Sequence, residues 1–147
     1  MSVLRPLLLA LSVAAASNAL AADTTPPEIS RYLKKQGPAI EHRIFRSGAS
    51  DQIVVRFCVD ENGKGGANDG ASNPANVHCE VALFNKKGKW VFANQVFIGQ
   101  GSIRNFSSGM VRGESVTYAP EDPLCCPSKK KPLVFTTEGG KLVAVPQ

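Results

Sequence analysis

The residues with the most obvious chemistry are four cysteines, and their spacing favours disulfides over metal binding. Cys58 and Cys79 flank a long polar loop, whereas Cys125 and Cys126 are adjacent. Adjacent thiolates are poorly placed around one tetrahedral zinc ion, and the sequence has no C-x-x-C pair. The pattern therefore predicts two disulfides that stabilise the fold.

Three pairings of these cysteines are possible. One joins Cys58 to Cys79 and leaves a vicinal bridge between Cys125 and Cys126. The other two join the Cys125–Cys126 segment to the two upstream cysteines, in either order. A vicinal bridge closes a small strained ring, whereas a long-range bridge contributes about 3–5 kcal/mol, which favours the long-range patterns. Because strained bridges are the labile ones, a redox role for the vicinal pair is the alternative.

Other reactive residues do not form a recognisable catalytic group. His42 has no nucleophile motif near it, and His78 directly precedes Cys79, so their side chains point to opposite faces of a strand. Glu121 and Asp122 are adjacent acids between prolines, a pattern more typical of a turn than of an acid–base pair. The sequence therefore favours a protein that is not an enzyme and needs no cofactor.

A loop that starts at Asp60 begins like a calcium-binding loop, with oxygen ligands at alternate positions and glycine at the sixth. It departs from that pattern at the fifth position, where Lys64 stands, and at the twelfth, where Ala71 replaces a bidentate carboxylate. We expect a plain connecting loop and no metal site. The weak candidates for an ion site are Asp60, Asn62, Asn68 and Asp69.

The elements that must position these residues begin with a predicted helix over residues 22–38. Thr25 and Glu28 have the spacing of a capping box, and Gly37-Pro38 ends the helix. Its apolar side chains have helical spacing, which gives the helix one face to pack on a larger body; they are Ile29, Tyr32 and Leu33.

After Pro38 the hydrophobic period changes to two, which predicts short strands separated by tight turns. The predicted strands cover residues 39–46, 52–60, 77–83, 90–98, 102–106, 114–119, 133–137 and 142–145. Such short turns favour antiparallel pairing, because parallel strands need long crossovers. The expected fold is α+β and mostly β: one N-terminal helix packed on a curled antiparallel meander sheet of seven or eight short strands.

Residues 1–21 have the pattern of a cleavable secretory signal peptide. Met1–Arg5 is basic, Pro6–Ala16 is apolar, and Ala19-Leu20-Ala21 suits a signal peptidase. The apolar run is shorter than the roughly 18 residues that cross a bilayer, and no cysteine follows the cleavage site to carry a lipid. We therefore expect residues 22–147 to form a single exported domain, periplasmic or secreted, without a membrane anchor.

The chain is mildly basic, with a formal net charge of +5. Lys86, Lys87 and Lys89 surround a predicted hairpin turn beside Trp90, and Lys129–Lys131 form a second run, which we expect on a solvated loop. The hairpin lysines with Trp90 are the candidate binding surface, for an unknown protein or an anionic envelope polymer. Nucleic acid is not an expected partner of an exported domain. Four aromatic residues are expected mainly in the core: Trp90, Phe92, Phe97 and Phe106.

The C-terminal half carries a further pattern. Leu83-Phe84-Asn85 and a Lys/Gly turn lead into a strand ending at Ile98-Gly99, followed by D-P-L-C-C-P-S at 122–128 and G-K-L-V at 140–143. This order resembles the LppP/LprE-like family of exported bacterial proteins, over less than half of the chain. The resemblance implies an envelope location and a disulfide from the D-P-L-C-C-P-S loop to an upstream cysteine, for which Cys58 is the candidate. The chain departs from the family in lacking a lipidation site and in carrying Cys79.

These observations predict a periplasmic, noncatalytic binding domain, for example an inhibitor or immunity protein that blocks a cell-wall hydrolase. The alternative is a small envelope hydrolase or redox protein, which would use one of two pairs: Glu121 with Asp122, or Cys125 with Cys126.

Overall fold

The computed structural model describes residues 24–37, 39–48, 51–60, 77–123 and 126–146, so the predicted signal peptide lies outside it. Within these residues the chain forms one α-helix, α1 (Pro27–Lys35), and eight strands. The strands are β1 (Ala39–Arg46), β2 (Gln52–Asp60), β3 (Val77–Lys87), β4 (Lys89–Gly99), β5 (Ser102–Ser107), β6 (Met110–Thr117), β7 (Lys129–Thr136) and β8 (Val143–Ala144). A short 3₁₀ turn, Glu138–Gly140, lies between β7 and β8.

The strands form two antiparallel sheets of four strands each, where a single curled sheet was expected. Sheet A has the order β1-β2-β3-β4 and sheet B the order β5-β6-β7-β8. The chain passes between them at Gly99–Gly101, the two glycines that interrupt the strand pattern. A Cβ on Gly101 would lie 2.8 Å from the carbonyl oxygens of Ile98 and Glu114, so the crossover requires glycine there. The mostly-β, antiparallel fold with one helix is confirmed.

The helix is shorter than predicted and begins without the expected capping box. Pro26 is the N-cap residue and no side chain caps the helix. Pro27 occupies the first helical position, where its missing N–H costs nothing. The helix ends with Lys34 and Lys35, cations that interact favourably with the negative end of the helix dipole.

The three elements stack as layers, with sheet A between α1 and sheet B. The buried cluster between α1 and sheet A consists of Ile29, Leu33, Ile53, Val55, Phe57, Val59, Ala82 and Phe84. The buried cluster between the two sheets consists of Val54, Cys58, Cys79, Val81, Leu83, Ile98, Ile103, Phe106, Val111, Phe135 and Leu142. Alternate residues of β2 and β3 enter different clusters, so both faces of sheet A are buried.

A β-bulge divides β4 into two halves that face different layers. Phe92 pairs with Phe84 and Asn94 pairs with Leu83, which leaves Ala93 without a partner position on β3. An extra residue of this kind reverses the alternation of side chains beyond it. Trp90 consequently packs against the helix-side cluster and Ile98 belongs to the cluster between the sheets, although strict alternation predicts one shared face.

Candidate binding groove

One disulfide joins Cys58 to Cys79. The two residues are directly opposite each other on β2 and β3, with 4.0 Å between their Cα atoms. The long-range patterns favoured by loop length, and the Cys58 pairing implied by the family resemblance, are therefore wrong. Loop-closure entropy ranks bridges by loop length alone, whereas the register of the β2–β3 pair decides which sulfur atoms meet. Cys126 is disulfide-bonded, and Cys125 lies outside the described residues.

The acidic pair is arranged as a turn. The carboxylate of Asp122 accepts hydrogen bonds from the backbone N–H of Ala119 at 2.6 Å, the N–H of Ser128 at 2.7 Å and the hydroxyl of Ser128 at 2.7 Å. These bonds, the one from Ala119 above all, hold the pKa of Asp122 below its usual value. A carboxylate that stays ionised is a poor proton donor, and its bonding to its own loop explains its position without a catalytic role.

The two histidines lie on different strands of sheet A and do not share a site. His42 Nε2 lies 3.4 Å from the hydroxyl of Thr25. His78 Nε2 lies 3.6 Å from Glu80 Oε1, and its ring contacts Phe97 with 5.5 Å between the ring centroids. In the part of the chain that the structure describes, no three His, Cys, Asp or Glu side chains are grouped as metal ligands.

The weak ion candidates fall mostly outside the described residues. Asp60 ends β2 as a buried residue, only 6% exposed. The other three, Asn62, Asn68 and Asp69, belong to the segment 61–76, which the structure does not describe.

A groove of about 680 Å³ lies at the β3–β4 hairpin, where the sequence predicted a binding surface. Three segments line it: the start of β2 with the residue before it, the two arms of the β3–β4 hairpin, and the 3₁₀ turn of sheet B with the residue after it. The lining residues are Asp51, Gln52, Asn85, Lys86, Lys87, Val91, Phe92, Ala93, Gly139, Gly140 and Lys141.

A chain of side-chain hydrogen bonds fixes the floor of this groove and joins the two sheets. The Thr137 hydroxyl donates to Gln52 Oε1 at 2.7 Å, and Gln52 Nε2 donates to Asn85 Oδ1 at 3.1 Å. Asn85 Nδ2 then donates to the carbonyl oxygen of Gly140 at 2.8 Å. Gly140 has φ +73°, and a Cβ there would lie 3.3 Å from Asn85 Nδ2. The glycine turn and the amide network therefore depend on each other.

A second link between the sheets lies beside the groove. Asn94 Nδ2 donates to the carbonyl oxygen of Leu142 at 3.0 Å, and the Leu142 N–H donates to Asn94 Oδ1 at 2.8 Å. The amide of Asn94 thus satisfies both polar groups of one backbone residue, and it holds the segment before β8 against β4. The sequence gives no sign of this role, because a single asparagine in a strand has no distinctive spacing.

The charge of the groove is positive. Lys86, Lys87 and Lys141 line it, and Asp51 is the one acid among its lining residues. Lys86 Nζ lies 5.7 Å from the centroid of the Trp90 ring, a cation–π arrangement. Of the predicted surface, Lys86 and Lys87 therefore line the groove, and the Trp90 ring contacts Lys86 from the helix side of sheet A. Lys89 begins β4 and is not among the lining residues. Lys141 was not predicted as part of the surface, because it is far from the hairpin in the chain.

Aromatic side chains close the helix side of the same region. Tyr32 of α1 stacks on Phe92, with 4.8 Å between the ring centroids, and its hydroxyl donates to Gln95 Oε1. Burial, with a smaller contribution from the negative charge of Glu80, raises the pKa of Tyr32. Of the four aromatic residues expected mainly in the core, Phe106 is buried and Trp90 is half-buried. Phe92 and Phe97 are 42% and 68% exposed, so they fall outside the core.

The second lysine run lies on a strand and not on the expected loop. Lys129–Lys131 begin β7, and they are exposed. In the described residues β8 pairs only with Phe135 and Thr136, so the first half of β7 has an open edge. Lysine and proline on an open edge discourage pairing with other chains. Together with Pro132, these lysines have a structural explanation that needs no ligand.

Comparison with known proteins finds no matching family model, no matching curated protein and no matching solved structure. The resemblance of the C-terminal half to the LppP/LprE-like family therefore stays a prediction. Among the described residues, no helix is both long and apolar enough to span a bilayer.

Proposed function

We propose that this protein is an exported, noncatalytic binding domain whose ligand site is the groove at the β3–β4 hairpin. The ligand is an acidic protein or an anionic polymer of the cell envelope. An inhibitor or immunity protein acting on a cell-wall hydrolase is the specific version of this role. The observation that carries the proposal is the convergence of Lys86, Lys87 and Lys141 around a groove whose floor is fixed by hydrogen bonds.

The disulfide supports export. Cys58 and Cys79 are both 3% exposed and bonded to each other. Disulfides of this kind form and persist in oxidising compartments, such as the periplasm or the extracellular medium. Together with the signal-peptide pattern of residues 1–21, this favours a periplasmic or secreted location.

The bonding of the polar residues supports a binding role over a catalytic one. The carboxylate of Asp122 accepts hydrogen bonds from its own loop. His42 and His78 lie on separate strands and contact different residues. The groove itself is lined by lysines, amides and apolar side chains. Its three lysines, against the one carboxylate of Asp51, suit recognition of negative charge. Among the described residues, the lining has no serine, cysteine or histidine to act as a nucleophile or base.

The test is capture of envelope partners by the exported protein. The chain is expressed with residues 1–21 present, purified from the periplasm, and its new N-terminus is sequenced; we expect it at Ala22. The immobilised protein is then incubated with an envelope extract at low salt. A triple variant, Lys86→Glu, Lys87→Glu and Lys141→Glu, reverses the charge of the groove.

The matched control reverses three other charges: Lys129→Glu, Lys130→Glu and Lys131→Glu. We expect the natural protein and the control to retain the same partner and the groove variant to lose it. Equal retention by all three proteins would show that the groove is not the ligand site. An uncleaved chain recovered from the cytoplasm would overturn the export part of the proposal.

A further inference from the structure

The outer edge of β4, on the side away from β3, is open in the first half of the strand, where Val91, Phe92 and Ala93 also line the groove. β4 is the last strand of sheet A. The backbone N–H of Lys86 donates to the carbonyl oxygen of Asp51 at 2.7 Å, so the polar backbone groups of Lys86 face β2. Lys86 pairs with Trp90 across the hairpin. By the alternation of antiparallel pairs, the N–H and C=O of Trp90 point away from β3.

The same alternation applies one step along the strand. Phe84 and Phe92 are partners, and Phe84 lies two residues before Lys86, so its backbone groups also face β2. The backbone groups of Phe92 therefore point outward as well. In the described part of the chain, no backbone hydrogen bond from beyond β3 reaches Trp90 or Phe92. This edge offers two donors and two acceptors to an incoming strand.

Apolar side chains are exposed on the strand that carries this edge. Val91, Phe92 and Ala93 are consecutive residues of β4, and all three line the groove. Val91 is 37% exposed and Phe92 is 42% exposed, and their side chains project to opposite faces of the sheet. An added strand would cover apolar surface on both sides while its backbone pairs with β4.

The charge of the residues near this edge indicates which kind of incoming strand would bind. Lys86, Lys87 and Lys141 line the groove together with the single carboxylate of Asp51, and Lys89 is exposed at the start of β4. The strand should therefore carry acidic side chains. A second copy of this chain is a poor candidate, since the chain has a net charge of +5. A polymer without peptide groups could use the lysines but not the open backbone.

We propose that the edge of β4 binds an extended acidic segment of a partner protein as an added strand of sheet A. This inference rests on the proposed function and names the ligand class of the same groove. Main-chain hydrogen bonds to Trp90 and Phe92 supply affinity, and the lysines select acidic side chains. The open edge of β7 differs, because Pro132 lacks a backbone donor and three lysines precede it.

The test uses a synthetic peptide of alternating glutamate and valine, about eight residues long to match a typical strand. A control peptide has the same side chains but N-methyl groups on alternate amides, which block hydrogen bonding along one edge. Binding is measured by fluorescence anisotropy at low salt. We expect the N-methylated peptide to bind about tenfold more weakly, since it loses more than one backbone hydrogen bond. Equal binding of both peptides would overturn strand addition.

Two further measurements use the protein side of the same contact. The variant with Lys86→Glu, Lys87→Glu and Lys141→Glu should bind the unmodified peptide about ten- to a hundredfold more weakly. The variant with Lys129→Glu, Lys130→Glu and Lys131→Glu should bind it almost normally. Bound peptide should slow amide hydrogen exchange at Trp90 and Phe92. Unchanged exchange at both residues would contradict the proposal even if the peptide binds.

The two proposals fail in different ways. If envelope capture depends on the groove lysines but both peptides bind alike, the groove binds negative charge and strand addition is wrong. If capture is unaffected by the groove variant, the proposed function fails. A dimer that forms through β4 in analytical ultracentrifugation, and that the acidic peptide does not dissociate, would also overturn the choice of partner.

Discussion

Sheet A and sheet B have the same number of strands and the same meander order, yet within the described residues only sheet A is covered on both faces. β2 is buried along almost its whole length, whereas the first half of β7 is exposed. The difference is visible in their sequences, QIVVRFCVD against KKKPLVFT. A strand that is buried on both sides has a nearly continuous apolar sequence, and a strand with an open face and edge does not.

The outer face of sheet B is polar. Arg104 and Glu114 form an ion pair there at 2.7 Å, and Arg104 is 67% exposed. An exposed pair of this kind contributes little to stability. Sheet A thus forms the middle layer of the molecule, and sheet B supplies one wall of the core between the sheets and the glycine turn that lines the groove.

The largest expected effect comes from a cavity in the helix-side core of sheet A. Phe57 is 1% exposed, and Phe57→Ala should lower the free energy of unfolding by about 3–5 kcal/mol. Val134 is half-buried in β7 of sheet B, and Val134→Ala should cost less than about 1 kcal/mol. Urea unfolding followed by circular dichroism measures both. Similar losses would show that sheet B contributes as much to stability as sheet A.

The next effect concerns the disulfide, which lies entirely within sheet A. The double variant Cys58→Ala and Cys79→Ala removes a bridge between residues separated by 21 positions. Loss of the loop constraint should destabilise the protein by about 3 kcal/mol. Thermal melting measures the change, and treating the variant with a reductant shows what the bridge at Cys126 adds. An unchanged melting temperature would mean that strand pairing alone determines the stability of sheet A.

A smaller effect is expected where the two sheets are joined. Asn94→Ala removes both hydrogen bonds to Leu142, which should cost about 1–3 kcal/mol because the backbone groups of a buried residue lose their partner. Amide exchange at Leu142 should accelerate. Asn105→Ala, at an exposed position of β5, is the matched control and should change neither quantity. If Leu142 remains protected in Asn94→Ala, the sheets are held together by apolar packing alone.

The smallest effect is a pH dependence in the loop that precedes β7. The pKa of Asp122 is lower in the folded protein than in the unfolded chain, so its stabilising contribution is present above the unfolded value of about 4 and is lost as pH falls through the folded value. Asp122→Asn should therefore melt below the natural protein at neutral pH. The gap should close in acid, and a gap that is constant with pH would assign the loss to shape and not to charge.

Much of the architecture was predictable because local rules determine it. Alternating apolar residues and tight turns identified β1 through β8 to within a few residues. The spacing of Ile29, Tyr32 and Leu33 identified the helix, but the predicted start at residue 22 was too early, since the helix begins at Pro27. The division into two sheets was not predictable. It depends on the crossover at Gly99–Gly101, and in the sequence these glycines look like any other strand break.

The candidate site was predictable only in part, for a related reason. Lys86 and Lys87 are neighbours in the chain and lie at a predicted hairpin turn, so the sequence alone predicted that they share one surface. Lys141 and the amides of Gln52 and Asn85 reach the groove through tertiary packing, which leaves no periodic signal. The prediction of the cysteine pairing was wrong for a similar reason. The register between β2 and β3 places Cys58 opposite Cys79, and loop-closure entropy does not depend on that register.

The meander order of the sheets has a consequence for how the chain folds as it is synthesised. Every strand of sheet A ends by Gly99 and every strand of sheet B begins after it. A chain that emerges N-terminus first can therefore complete sheet A, and bring Cys58 opposite Cys79, before its last third is available. Until sheet B forms, one apolar face of sheet A is exposed to water, so the partly emerged chain is the stage most prone to aggregation.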